Sequence, residues 1–131
     1  MSSDKTSGGL NVEEKKDHAR KADCLFCRIN HKEINASFVY EDEHAFAIRD
    51  INPQAPTHIL VIPRSHVDNV ARVEDKALMG SLFYAAARIA EKEKLDKGFR
   101  LVVNTGDDGG QTVHHLHIHL LGGRSLTWPP G

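Results

Sequence analysis

The run His114-His115-Leu116-His117-Ile118-His119-Leu120-Leu121 decides how the chain is read. A strand turns successive side chains to opposite faces. A strand over residues 113–121 therefore presents His115, His117 and His119 on one side and Leu116, Ile118 and Leu120 on the other. Strand propensity gives no reason to set three imidazoles side by side, and three neighbouring cations would repel. At least some of the rings must then be neutral and hydrogen-bonded. One histidine here would read as an ordinary strand residue; three in strict alternation read as a site. His114 faces away from the three and carries no role.

Immediately upstream, Gly106-Asp107-Asp108-Gly109-Gly110-Gln111-Thr112 forms a glycine-rich loop. Its glycines can adopt positive φ and let backbone N–H groups converge on an anion, the shape of a phosphate cradle. Alone, such a loop is equally a hairpin connection. Its attachment to the three histidines favours the cradle.

Working outward, residues 99–104 read as a strand, and Leu78, Leu82, Ala85 and Ile89 mark one face of a helix. Asp75 caps that helix, and Lys94, Lys97 and Gly98 suit its end. Residues 58–62 form an apolar strand closed by Pro63, and residues 37–40 and 45–48 a hairpin. Leu25, Phe26 and Ile29 make a short apolar turn. Residues 1–22 are polar and read as a tail, with a polar helix between Asn11 and Lys21 as its one element; the domain spans residues 23–131. Hairpins around one long helix give an α+β domain on a mainly antiparallel sheet.

The 131 residues fit one domain. With 17 Lys and Arg against 18 Asp and Glu, there is no basic excess to bind a phosphate backbone, so nucleic acid is an unexpected partner. The apolar runs are too short for a membrane span, and the N-terminus has no apolar signal core, which points to a cytoplasmic or nuclear protein. Of nine histidines, four lie within residues 114–119. The only two cysteines, Cys24 and Cys27, are too close for a disulfide staple and well spaced for metal chelation or redox chemistry.

His115-x-His117-x-His119 resembles the motif of the histidine-triad (HIT) superfamily. The likeness is closer to its Hint branch of nucleotide-binding proteins, and it spans the chain from Asp23 onward. It rests on residues 50–58 (Asp-Ile-Asn-Pro-Gln-Ala-Pro-Thr-His), Val61-Ile62-Pro63, Val102-Val103-Asn104, Gly109-Gly110-Gln111, Leu121-Gly122-Gly123-Arg124 and the ending Trp128-Pro129-Pro130-Gly131. The resemblance implies a five-stranded sheet with one long and one short helix, extended across a homodimer. It implies a hydrolase that cleaves the P–N bond of purine nucleoside phosphoramidates, with purine nucleoside monophosphates as its other ligands.

On that pattern His117 is the nucleophile, forming a nucleotidyl-histidine that water resolves. His119 shares protons with the phosphate and the departing amine, while His58 and His115 fix the ring positions. Asn104, Gly110, Gln111 and Thr112 match the phosphate-binding segment; Phe26, Ile29, Ile51 and Leu60 match the nucleoside slot; Asp50 matches the ribose contact. Phe26 and Ile29 equally suit a plain core, and Asp50 a plain turn. Trp128, between prolines, is a rigid aromatic able to cover a leaving group.

Two positions depart from the branch. Thr112 stands where it commonly has serine, and the branch often lacks both cysteines. Cys24 and Cys27 instead resemble the zinc-carrying members of the superfamily, whose other ligands correspond to His66 and His115. Two thiolates and two imidazoles would close a structural zinc site and leave no open position for catalysis. The alternative is a pair of buried thiols. Two other functions remain open: a nucleotide-binding interaction module with vestigial hydrolysis, and a catalytic metal held by the histidines, against which weighs the lack of acidic residues near them.

Overall fold

A computed structural model of the chain describes residues 21–131. The alternation of side chains along two apolar strands sets its architecture. Strand β1 (Phe38–Glu41) pairs with β2 (Ala45–Arg49), and β2 pairs with β3 (Thr57–Pro63). Asp42 closes the first turn, its Oδ1 accepting from the backbone N–H groups of His44 at 2.7 Å and Ala45 at 2.8 Å. In β2 and β3, Ala45, Ala47, Ile59 and Val61 enter one core cluster, while Phe46, Ile48, Leu60 and Ile62 enter another on the opposite face. Burial on both faces accounts for the unbroken apolar run of residues 58–62.

The first cluster is covered by the long helix, α2 (Lys76–Lys92), which contributes Leu82, Ala85, Ala86, Ile89 and Ala90. Three of these five are alanines, and β2 adds Ala45 and Ala47 to the same cluster. Asp75 caps the helix, its carboxylate accepting from the Ala77 N–H at 2.9 Å. The stop comes earlier than Gly98. Lys94 takes φ +60°, its N–H bonds Glu91 O at 3.0 Å, and Leu95 N–H reaches back to Ala90 O at 3.1 Å. This is a Schellman ending with lysine in the left-handed position, and Leu95 packs on the core beside it. The short helix α1 (Leu25–Asn30) lies against the other cluster through Phe26, Cys27 and Ile29.

Strands β4 (Phe99–Val102) and β5 (Ile118–Gly122) complete a five-stranded antiparallel sheet of order β1-β2-β3-β5-β4. Both are shorter than the sequence suggests. The ladder of β3 with β5 ends at Val61 and Ile118, and upstream of it Leu116 N–H bonds Val67 O at 2.7 Å instead of a strand partner. The ladder of β4 with β5 ends where Val102 meets His119, which leaves residues 103–104 outside the strand. Among the described residues no helix is long and apolar enough to cross a membrane. The polar helix read between Asn11 and Lys21 falls outside the described residues, apart from Lys21.

Candidate active site

His115 and His117 thus sit in the bend before β5, yet the alternation persists: Leu116, Ile118 and Leu120 enter the α2 cluster while the three histidines lie on the α1 side. His117 is buried, its ring edge-on to Phe26 at 5.2 Å and 4.9 Å from that of His119. Its Nδ1 lies 2.7 Å from the His115 carbonyl oxygen. A carbonyl can only accept, so Nδ1 carries the proton and Nε2 keeps its lone pair. Burial holds its pKa below the usual histidine value, against the help of that hydrogen bond. A neutral imidazole with a defined tautomer and a free nitrogen is what a nucleophile requires.

The neighbouring pair is ordered by the same logic. The Gln54 backbone N–H donates to His58 Nδ1 at 3.0 Å, which leaves the His58 proton on Nε2. His58 Nε2–H donates to His119 Nδ1 at 2.9 Å, with Asp50 Oδ2 3.4 Å from the same Nε2. Neutral His119 then carries its proton on Nε2, and no hydrogen-bond partner among the described residues takes it. The expectation that no acid lies near the histidines is corrected: the turn after β2 brings Asp50 to His58, a contact invisible in the linear sequence.

Burial pushes the His119 pKa down to about 4, with His117 and His58 adding to the shift and Asp50 opposing it. Burial lowers His58 as well. In the unfolded chain a histidine titrates near its ordinary value of about 6.5, so between there and about 4 the unfolded state holds the extra proton. The stability this group contributes is complete above the unfolded value and is lost as pH falls through that window. Thermal midpoints should drop over that window in the parent chain and drop less steeply in His119→Gln; equal slopes would contradict the burial of a neutral ring.

The other expected ligand contacts are scattered differently. Phe26, Ile29 and Leu60 are buried together in the α1 cluster, whereas Ile51 is fully exposed. Gly106 and Gly110 adopt φ +70° and +78°. The loop closes on itself through Gly110 N–H to Asp107 O and Gln111 N–H to Gly106 O. The Gln111 carboxamide is committed to the same task, accepting from Gly106 N–H at 3.0 Å and donating to Asp68 O at 2.7 Å and Val113 O at 3.1 Å. Asn104 is half-buried and Thr112 exposed. Trp128 is 80% exposed with no ring contact among the described residues, on a tail tied by Arg100 to Thr127 O at 2.8 Å.

Cys24, Cys27, His66 and His115 converge from α1, the loop after β3 and the bend before β5, their ligand atoms all within 4.8 Å of one another. Both imidazoles arrive with Nδ1 inward. His115 Nε2–H donates to Pro63 O at 2.9 Å, and His66 Nε2–H to the Asp68 carboxylate at 2.7 Å. Their Nδ1 lone pairs face Cys24 Sγ at 3.3 Å and Cys27 Sγ at 3.7 Å from His115, and Cys27 Sγ at 3.5 Å from His66. A zinc tetrahedron with sulfur at about 2.3 Å and nitrogen at about 2.0 Å has S···N edges of about 3.5 Å. Donor set, spacing and the anchored outer nitrogens are compatible with structural zinc. Asp68, missed in the sequence, is marked only by its position two residues after His66. Asp50, His58 and His119 also lie within metal-binding distance. There the facing imidazole nitrogens already share a proton and Gln54 occupies the other His58 nitrogen, so this group is a hydrogen-bond chain.

A model of the HIT domain matches residues 31–126. The chain belongs to the HIT family. An uncharacterised HIT-like protein of Synechococcus elongatus is 55% identical over 111 residues, covering 83% of this chain and 97% of its own. The 14 kDa zinc-binding protein of Zea mays is 49% identical, covering 82% and 87%. Among solved structures, a HIT family hydrolase from Legionella pneumophila superposes with a TM-score of 0.81 at 48% identity, covering 83% of this chain and all of its own. This HIT protein, of the Hint-like branch, has the architecture of a HIT-fold hydrolase, with its histidines clustered as a catalytic triad requires.

Proposed function

We propose that this HIT protein hydrolyses the P–N bond of purine nucleoside phosphoramidates through a nucleotidyl-His117 intermediate. The observation that carries the reading is the fixed tautomer of His117, proton on Nδ1 and lone pair on Nε2, beside a second ring, His119, whose Nε2–H has no partner among the described residues. In the first step His117 Nε2 bonds to phosphorus as the phosphorus–nitrogen bond breaks, and the departing amine takes the proton from His119 Nε2. In the second, water attacks phosphorus and gives a proton to His119 Nε2, replacing the one the amine took, while the bond to His117 breaks and the nucleotide leaves. Asn104, Gly110, Gln111 and Thr112 frame the phosphate side, Asp50 the ribose, and Phe26, Ile29, Ile51 and Leu60 the base. Cys24, Cys27, His66 and His115 would hold zinc, which supplies a closed structural clamp when bound. The cysteine pair suits a reducing compartment, cytoplasm or nucleus.

The open edge at β4 and the exposed Phe83, Tyr84 and Phe99 support a homodimer built through α2 and that edge. A monomer mass independent of concentration in sedimentation would overturn the pairing. We assign Trp128 to the side of the leaving amine. Removing residues 126–131 should therefore change relative rates across amines more than it changes the thermal midpoint; unchanged selectivity would take Trp128 out of that role.

The activity is tested by incubating the zinc-loaded protein with an adenosine phosphoramidate of an alkyl amine and following AMP by mass. Catalytic release of AMP and free amine is expected. Tight AMP binding without turnover would favour the interaction-module reading instead.

A further inference from the structure

We infer that the Cys24, Cys27, His66 and His115 cluster is a positioning device for the nucleophile: it holds the peptide that fixes the orientation and tautomer of His117. The inference rests on His117 being the nucleophile and concerns what keeps it ready.

The peptide in question joins His115 to Leu116. Its carbonyl accepts the His117 Nδ1–H at 2.7 Å, and its N–H, on the opposite side of the same trans plane, donates to Val67 O at 2.7 Å. Rotating that plane would break both bonds together. Each end of it is tied to a ligand of the cluster. His115 is the residue whose carbonyl is used, and its own ring is fully buried between Pro63 O and the two sulfurs. Val67 follows His66 directly, so the acceptor that holds the plane from the far side belongs to the residue after another ligand.

The third ligand-bearing segment reaches the nucleophile by a different route. Phe26 lies between Cys24 and Cys27 in α1 and meets both His115, at 5.8 Å, and His117, at 5.2 Å, edge-on. All three segments that bring ligands to the cluster therefore also touch His117 or the peptide that orients it. A purely structural clamp could sit anywhere α1 meets the sheet. This one shares a residue with the catalytic bend.

None of the four ligands needs to contact substrate in this role. Loosening the cluster should leave nucleotide affinity nearly intact while releasing the His115–Leu116 peptide. Once the carbonyl turns away, His117 loses its reason to keep the proton on Nδ1, and the ring divides between tautomers and orientations.

The test compares the full-length zinc-loaded protein, the same protein stripped by a chelator at neutral pH, His66→Ala, and His66→Cys, which restores four ligands. Nitrogen-15 spectra of labelled histidine report the His117 tautomer, calorimetry reports AMP affinity, and kcat and KM are measured on the alkyl phosphoramidate. The expected result is a single Nδ1–H tautomer in the loaded protein and in His66→Cys with zinc. The stripped protein and His66→Ala should show mixed tautomers, with kcat lower by at least about tenfold and AMP affinity within about threefold. An unchanged tautomer on stripping, or global unfolding of the stripped protein, would overturn the inference and leave the cluster a role in the fold alone. The tautomer and AMP binding do not depend on which bond is hydrolysed, so failure of the phosphoramidate assay in the parent chain is distinguishable from failure here.

Discussion

His117→Asn should abolish turnover of a nucleoside phosphoramidate by several orders of magnitude while leaving the nucleotide site in place. Asparagine retains an amide N–H that can reach the His115 carbonyl, now held from His117 Nδ1 at 2.7 Å, so the local hydrogen bond can persist. It has no basic nitrogen with which to attack phosphorus. The edge-on contact with Phe26 at 5.2 Å is lost with the ring, at a cost of about 1 kcal/mol. AMP binding should weaken by at most about tenfold, or about 1.4 kcal/mol. The comparison separates attack from binding, because removal of a group used only in the transition state lowers kcat and leaves ground-state affinity. Retention of more than about a tenth of parent turnover would show that another group attacks phosphorus.

Gly109→Ala should produce the second largest loss, for a steric reason. A Cβ at this position would stand 2.3 Å from the Thr105 carbonyl oxygen and 2.7 Å from the Thr105 nitrogen. Both are backbone atoms and cannot rotate aside, so the loop must open. Opening it pulls on the Gly110 and Gln111 bonds that close the loop and on the Gln111 carboxamide that ties it to Asp68 and Val113. The loop belongs to neither core cluster, so the fold should persist. A fall in kcat/KM of about a hundredfold or more, about 2.7 kcal/mol, with a raised KM, is the expected signature of a misplaced phosphate site. Parent-like kinetics in a folded Gly109→Ala protein would show that this loop does not hold the phosphate.

How much of this was legible in the sequence follows from what each feature depends on. The hairpin of β1 and β2, the buried strand β3 and the face of α2 depend on periodicity, which a single sequence carries directly. Of Lys94, Lys97 and Gly98, which all suit the end of α2, the first lies at the actual stop: Lys94 takes the left-handed position that glycine usually marks, and the packing of Leu95 compensates for it. Strand β5 was read too long because the histidine alternation continues through a bend that is held by Val67 O and Pro63 O, main-chain acceptors with no sequence signature. The same limit hid the roles of Gln54 N–H and the His115 carbonyl, which set the tautomers of His58 and His117. The four zinc-compatible ligands were legible by resemblance. Their shared peptide with the nucleophile was not, since it depends on which side of one amide plane each neighbour occupies.

The central claim is a covalent bond between His117 and phosphorus, and rapid quenching tests it most directly. The full-length zinc-loaded protein, mixed with excess adenosine phosphoramidate and quenched under denaturing conditions before steady state, should gain the mass of one adenylyl group, mapped by digestion to the peptide carrying His117 and absent from His117→Asn. AMP formed at the full steady-state rate with no adduct at any quench time, or an adduct on another residue, would contradict the account.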